Sequence, residues 1–161
     1  MRVNHFSDIE TDFISRVHTM VWCNAATIDE KQRPRSRILH PIWEGSTGWI
    51  GTHRNSYKAQ HLAHNPHMSL AYIADITKPV YIDARVEWVD EMETKQRIWD
   101  LFKYTPEPLG YDPALSFIRV DHEHFGLLKV IPWRIDLLTF PSASMDEGTR
   151  VWYSKAEKLE A

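Results

Sequence analysis

The 161-residue sequence predicts a mainly β domain, six or seven antiparallel strands forming a small β-barrel or sandwich with peripheral helices. Three observations predict it. Strand-patterned runs follow one another through short turns; only two or three helical patterns interrupt them; and a parallel sheet would need a helix after nearly every strand. With 43% hydrophobic and 12% aromatic residues the chain can bury one core without staples, as a single domain over 1–140 followed by a polar tail over 141–161, partly docked or disordered.

Ser7 followed by Glu10 has capping-box spacing, and Ile9, Phe13, Ile14 and Val17 recur at helical intervals behind it, so a helix is expected to about His18. Met20–Ile28 reads as the first strand, Asp29–Gln32 as a turn, and Arg33–Trp43 as the returning strand of a hairpin. Glu44–Gly48 turns into a third strand, Trp49–His53. Ala59, Leu62 and Ala63 mark a short helix capped by Asn55 or Ser56 and ended by Asn65-Pro66. His67–Ala74 and Val80–Val89 alternate as the fourth and fifth strands, and Met92, Ile98, Trp99 and Phe102 form the inner side of a helix over Glu91–Tyr104. Pro106, Pro108, Gly110 and Pro113 impose a loop with one helical turn at Ala114–Phe117. Phe125–Ile131 and Trp133–Phe140 form one long strand interrupted at Pro132, which implies a bulge or an edge position. In the tail, Val151, Trp152 and Tyr153 are costly to leave in water and predict docking on the body or on a partner subunit.

The single cysteine, Cys23, excludes an intramolecular disulfide framework and a multi-cysteine zinc site. The N-terminus carries no apolar signal region, and no run approaches the ~18 apolar residues of a membrane span. A soluble, cytoplasmic protein with no membrane partner is expected.

Charge is concentrated in one place. Lys31, Arg33, Arg35, Arg37, Arg54 and Lys58 face one acid, Glu44, a local excess of five in a chain whose total is -3, so the remainder carries about -8. That pattern fits a small anionic ligand. It lacks the extended positive track that nucleic acid requires. Alternation puts Arg35 and Arg37 on one face of their strand, and Thr52, Ser56 and Lys58 gather hydroxyls and an ammonium at the start of the short helix, where free N–H groups favour a phosphate. A solvated basic edge strand is the competing account. His61, His64 and His67 have metal-like spacing, but Pro66 ends the helix before His67, and no metal is expected. No G-x-S-x-G elbow supports a serine hydrolase.

The ordered series Pro34-x-x-Arg37, Gly51-Thr52, Ser56-x-Lys58-Ala59, Asn65-Pro66 and Ser69-Leu70 resembles the pyridoxamine 5'-phosphate oxidase-like flavin-binding split-barrel family, in particular its short general-stress-protein branch. The resemblance is densest from Met20 to Tyr72 and continues in outline to Leu138. It implies a Greek-key split β-barrel, FMN as cofactor, a small-molecule substrate, and a homodimer with each flavin in a cleft between subunits. It further implies that Arg37, Ile38, Leu39, His40, Pro41 and Ile42 run along the flavin ring and ribityl chain, with Arg37 on the phosphate. Gly51, Thr52, Ser56, Tyr57 and Lys58 complete the candidate cofactor set. An apolar slot for the ring could be walled by Trp43, Trp49 or Trp133, although with seven tryptophans in the chain core or dimer packing is the plainer account of any one; His40 is the polar candidate beside the ring, and a satisfied core histidine accounts for it equally.

Departures from that family bear on the reaction. True pyridoxamine phosphate oxidases carry an Arg-x-His substrate motif near the C-terminus, where this chain has Gly148-Thr149-Arg150-Val151-Trp152. The Gln that touches the flavin before the fifth strand is replaced around Pro79, and the late aromatic of the flavin site by Leu138. The expected activity is a flavin-dependent oxidoreductase other than the vitamin B6 oxidase, with no residue standing out as catalytic. The alternatives are a heme-binding or heme-degrading split-barrel protein, a deazaflavin-dependent reductase, or a flavin binder without turnover.

Overall fold

The structure is a computed structural model that describes residues 1–142, 144 and 148–155. Its first hairpin pairs β2 (Cys23–Ile28) with β3 (Pro34–Leu39), Cys23 opposite Leu39 through to Ile28 opposite Pro34. Asp29 builds the turn. Its Oδ1 accepts the backbone N–H of both Lys31 and Arg33 at 2.9 Å, which lets Gln32 take a φ of 61°. The strand expected over Arg33–Trp43 is in two pieces, because Pro41 has no N–H to give a ladder; after it β4 (Ile42–Glu44) pairs with β5 (Thr47–His53) instead.

β6 (His67–Tyr72), β7 (Val80–Val89) and β8 (Phe125–Leu138) complete the antiparallel body. β8 lies along β7 for its whole length. On its other side, its first half pairs with β5 and its second half with β9 (Thr149–Tyr153). Pro132 falls between those two partners, opposite Ala84, and the register shift there leaves Trp133 unopposed. The interruption expected at Pro132 is thus a bulge in a continuous strand. β9 also pairs with the two-residue β1 (Arg2–Val3), the parallel exception in an otherwise antiparallel sheet. Nine strands therefore stand among the described residues where six or seven were expected. The tail residues Val151–Tyr153 dock on the body through β9, while 156–161 lie outside the described residues.

Two cores lie on opposite sides of β5 and β8. In the first, α1 (Glu10–Met20) presses Phe13 and Val17, both fully buried, onto Leu70, Ile82, Val130 and Ile135. Phe13 meets Trp43 edge-on at 5.1 Å, and each such side chain removed from water stabilises by ~2–3 kcal/mol. In the second, Ile98, Trp99 and Phe102 of α3 (Met92–Tyr104) pack on Ile42, Trp49, Phe125 and Leu127. The cap before α1 differs from the Ser7–Glu10 box: a 3-10 turn over Phe6–Asp8 precedes the helix, and the His5 N–H donates to Asp8 Oδ2 at 2.9 Å. Two pairs had the same spacing, and the one nearer the N-terminus caps. Among the described residues no helix is long and apolar enough to cross a membrane.

Candidate functional site

β3 ends the strand order, and the second half of β5 is paired with β8 on one side only. Residues of β3 face residues of β5 and of α2 (Tyr57–His64) across this split, and two cavities open along it.

The first, of about 680 Å³, is cationic and is lined by Arg33, Arg35, Arg37, Ser56, Tyr57 and Lys58, together with Asp29, Ser36 and His61. The Arg37 Nη1 donates to Thr27 Oγ1 at 2.8 Å and to the Ala25 carbonyl at 3.3 Å. Arginine only donates, so Thr27 Oγ1 accepts from Arg37, and the same hydroxyl is hydrogen-bonded to His61 Nδ1, 2.9 Å away. Ser56 caps α2, its Oγ accepting the Ala59 N–H, and so stands at the helix N-terminus. Lys58 is buried, and its ammonium donates to Thr52 Oγ1 at 2.5 Å and to Ser56 Oγ at 3.2 Å. Burial, and next the Arg37 charge, pull the Lys58 pKa down to about 8. Burial and then Arg35 push that of Arg37 down as well. Among the described residues neither cation meets a carboxylate: Asp29, the acid in the lining, is bonded by Arg33 at 2.8 Å.

The second cavity, about 530 Å³, is mainly apolar and lies at the other end of β3, lined by Trp22, Ile38, Leu39, His40 and Gly51 and by residues 107–117. His40 donates from Nε2 to the Leu109 carbonyl at 2.7 Å and lies between the rings of Trp22 (4.4 Å) and Tyr111 (4.9 Å). Burial lowers its pKa, more than the bond to Leu109 raises it, so the imidazole is neutral at pH 7, with Nδ1 an acceptor. Tyr111 stacks on Phe102 at 5.1 Å, and its N–H donates to the Phe102 carbonyl at 2.9 Å. Its hydroxyl lies over Gly51, where a Cβ would come within 2.9 Å of it. Gly51 is needed for that close approach.

Of the candidate residues, Arg37, Ser56, Tyr57 and Lys58 line the cationic cavity, with Thr52 bonded to Lys58 at its edge; Ile38, Leu39, His40 and Gly51 line the apolar one. Pro41 and Ile42 are buried, Ile42 within the second core. Trp43 and Trp49 are core residues, and Trp22 lines the apolar cavity in their place. Arg33 and Arg54 meet Asp29 and Asp90 respectively, and Arg35, expected on the same strand face as Arg37, lines the cationic cavity with it, as does Arg33. His61 faces Thr27, His64 pairs with Glu30, and among the described residues no three His, Cys, Asp or Glu side chains converge on a metal position. Thr27, Trp22 and Tyr111 were missed. Thr27 was recoverable from the register of the hairpin; nothing local marks Tyr111.

The sequence matches the family described as pyridoxamine 5'-phosphate oxidase over residues 12–126. A search of curated proteins found no match. Among solved structures, a protein related to general stress protein 26 from Clostridium acetobutylicum superposes with a TM-score of 0.71 at 10% identity, covering 92% of this chain and 96% of that one. A pyridoxamine 5'-phosphate oxidase-related, FMN binding protein from Nostoc punctiforme gives 0.64 at 13% identity, covering 95% and 98%. HutZ, a heme storage protein from Vibrio cholerae, gives 0.58 at 16% identity, covering 77% and 89%. At such identities the likeness establishes a shared fold, the split barrel of these neighbours.

Proposed function

The chain belongs to the pyridoxamine 5'-phosphate oxidase family, and on that premise we propose that it is an FMN-binding flavoprotein, a flavin-dependent oxidoreductase acting on a small molecule other than pyridoxamine phosphate. The observation that carries this reading is the pair Arg37 and Lys58, two cations drawn together beside hydroxyl donors with no carboxylate to balance them. An anion with several acceptor oxygens meets that need, and the phosphate of FMN is one. FMN supplies the electron transfer when bound. Arg37, Lys58 and Ser56 hold the phosphate; Thr52 orients the ammonium; and Ile38, Leu39 and the neutral His40 border the ring and keep water from it.

One feature favours a reaction other than that of a pyridoxamine phosphate oxidase: Arg150, where such an enzyme has its substrate motif, is bonded to Asp12 of α1. A homodimer is part of the proposal: Trp22 and Ile38 at one end of β3 and Tyr57 at the other, between 54% and 80% exposed, are large apolar side chains that a second subunit would cover. The buried thiol of Cys23 suits a cytoplasmic setting.

Lys58 makes the affinity pH-dependent. In the free chain its pKa is about 8, so between pH 8 and 9.5 the ammonium is lost and with it a charge on the phosphate. The FMN dissociation constant, followed by quenching of flavin fluorescence, should be flat from pH 6.5 to 7.5 and then weaken by up to ~10-fold per pH unit. A constant value across that range would remove Lys58 from the phosphate site.

A further inference from the structure

The two cavities at the ends of β3 have opposite electrical character. Arginines and Lys58 line the first; the second has no Lys or Arg in its lining, and its charged residues are the exposed carboxylates Glu107 and Asp112. Its walls are Trp22, Leu39, Leu115 and Phe117, and its volume of about 530 Å³ lies within the range of small-molecule sites. One polar group stands out within this lining. The Tyr111 hydroxyl has no hydrogen-bond partner among the described residues, yet its ring is fixed three ways, by stacking on Phe102, by contact with His40 and by the fit over Gly51. Burial raises its pKa, so it remains a donor at any physiological pH. His40 cannot fill the same role, because its one N–H is bonded to Leu109.

We infer that the part of this cavity between Tyr111 and the 107–117 loop, beyond the Ile38, Leu39 and His40 wall that borders the flavin ring, is the substrate site, that it takes a planar, apolar molecule that is neutral or cationic and bears a carbonyl-type acceptor, that the Tyr111 hydroxyl is the donor to that acceptor, and that Glu107 and Asp112 turn anions away. The reaction rests on the flavin reading; the binding preference does not. A phosphorylated or carboxylated substrate would meet the acidic rim, while the Arg37–Lys58 cavity receives the cofactor phosphate. Specificity then lies in the loop between α3 and α4, which supplies both the donor and the acids.

Three probes of one shape separate the elements of this inference: 2-naphthamide, 2-naphthoate and 2-methylnaphthalene, titrated by equilibrium dialysis into the full chain with and without FMN. The amide is expected to bind at least ~10-fold more tightly than either of the others. Tyr111→Phe should weaken the amide by about 5- to 10-fold, leave 2-methylnaphthalene unchanged, and leave FMN affinity unchanged. Glu107→Gln with Asp112→Asn should narrow the gap between amide and naphthoate. Equal or tighter binding of naphthoate, no binding of the amide to either form, or an amide affinity indifferent to Tyr111→Phe would each overturn the assignment. Failure of FMN to bind in the same series would count against the flavin reading alone, since the three probes are compared without it as well.

Discussion

Lys58→Met should weaken FMN binding by ~100-fold or more while raising the thermal midpoint of the flavin-free chain. Lys58 is 7% exposed, and among the described residues no carboxylate compensates its charge. A folded-state pKa of about 8 against 10.5 means that folding disfavours the ammonium. The cost is fully present below pH 8 and fades as pH rises toward 10.5, the reverse of a stabilising ion pair. Allowing for residual solvent screening it amounts to ~2 kcal/mol, which a methionine of similar length recovers. The methionine also forfeits a charge-assisted hydrogen bond to the phosphate, ~3 kcal/mol in a buried setting. Thermal melts of both proteins at pH 7 and pH 10 test the first half: the variant's advantage should be present at pH 7 and nearly gone at pH 10. A variant less stable than the parent at pH 7 would mean that the ammonium is structurally satisfied and no anion is required.

The second large effect belongs to the loop over the apolar cavity. In Gly110→Ala the new Cβ would lie 1.8 Å from the Thr105 carbonyl oxygen and 2.8 Å from that of Phe102, both backbone atoms that cannot swing aside. The Phe102 carbonyl is the acceptor that seats Tyr111, and Leu109, next to the substituted residue, holds His40. The loop must therefore move as a unit. A loss of ~2–4 kcal/mol in urea unfolding is expected, together with loss of 2-naphthamide binding. The phosphate cavity, built from β3 and α2, should keep its affinity for inorganic phosphate. Wild-type stability in this variant would show that the loop is not fixed in the way its contacts imply.

How much of this was legible in the sequence differs by element. The hairpin, β5 and α2 announce themselves through alternation, Asp29, and the Ser56 cap with its apolar stripe, and these local signals bring Arg37, Ser56 and Lys58 within reach of one another. β1 and β9 have no such signal. A two-residue strand has no period, and its pairing with the other end of the chain is decided by the burial of Val3 and Trp152 against the first core. Pro41 was visible as a residue but not as a break, since the apolar run continues through it into β4. Tyr111 and Leu109 lie in a Pro- and Gly-rich loop that reads as surface, and what carries them onto His40 and Gly51, some 60 to 70 residues earlier, is the packing of α3 on β5 and β8. Anion chemistry could be read from spacing because its parts are close in the chain, whereas the substrate wall could not.

The central claim is that Arg37, Ser56 and Lys58 bind the cofactor by its phosphate. Parallel titration of the flavin-free protein with FMN and with riboflavin, which share the ring and differ in the phosphate, tests it most directly. The account predicts that FMN binds at least ~100-fold more tightly at low salt and that the advantage shrinks as salt is raised. Equal affinities for the two flavins, or no binding of either, would contradict it.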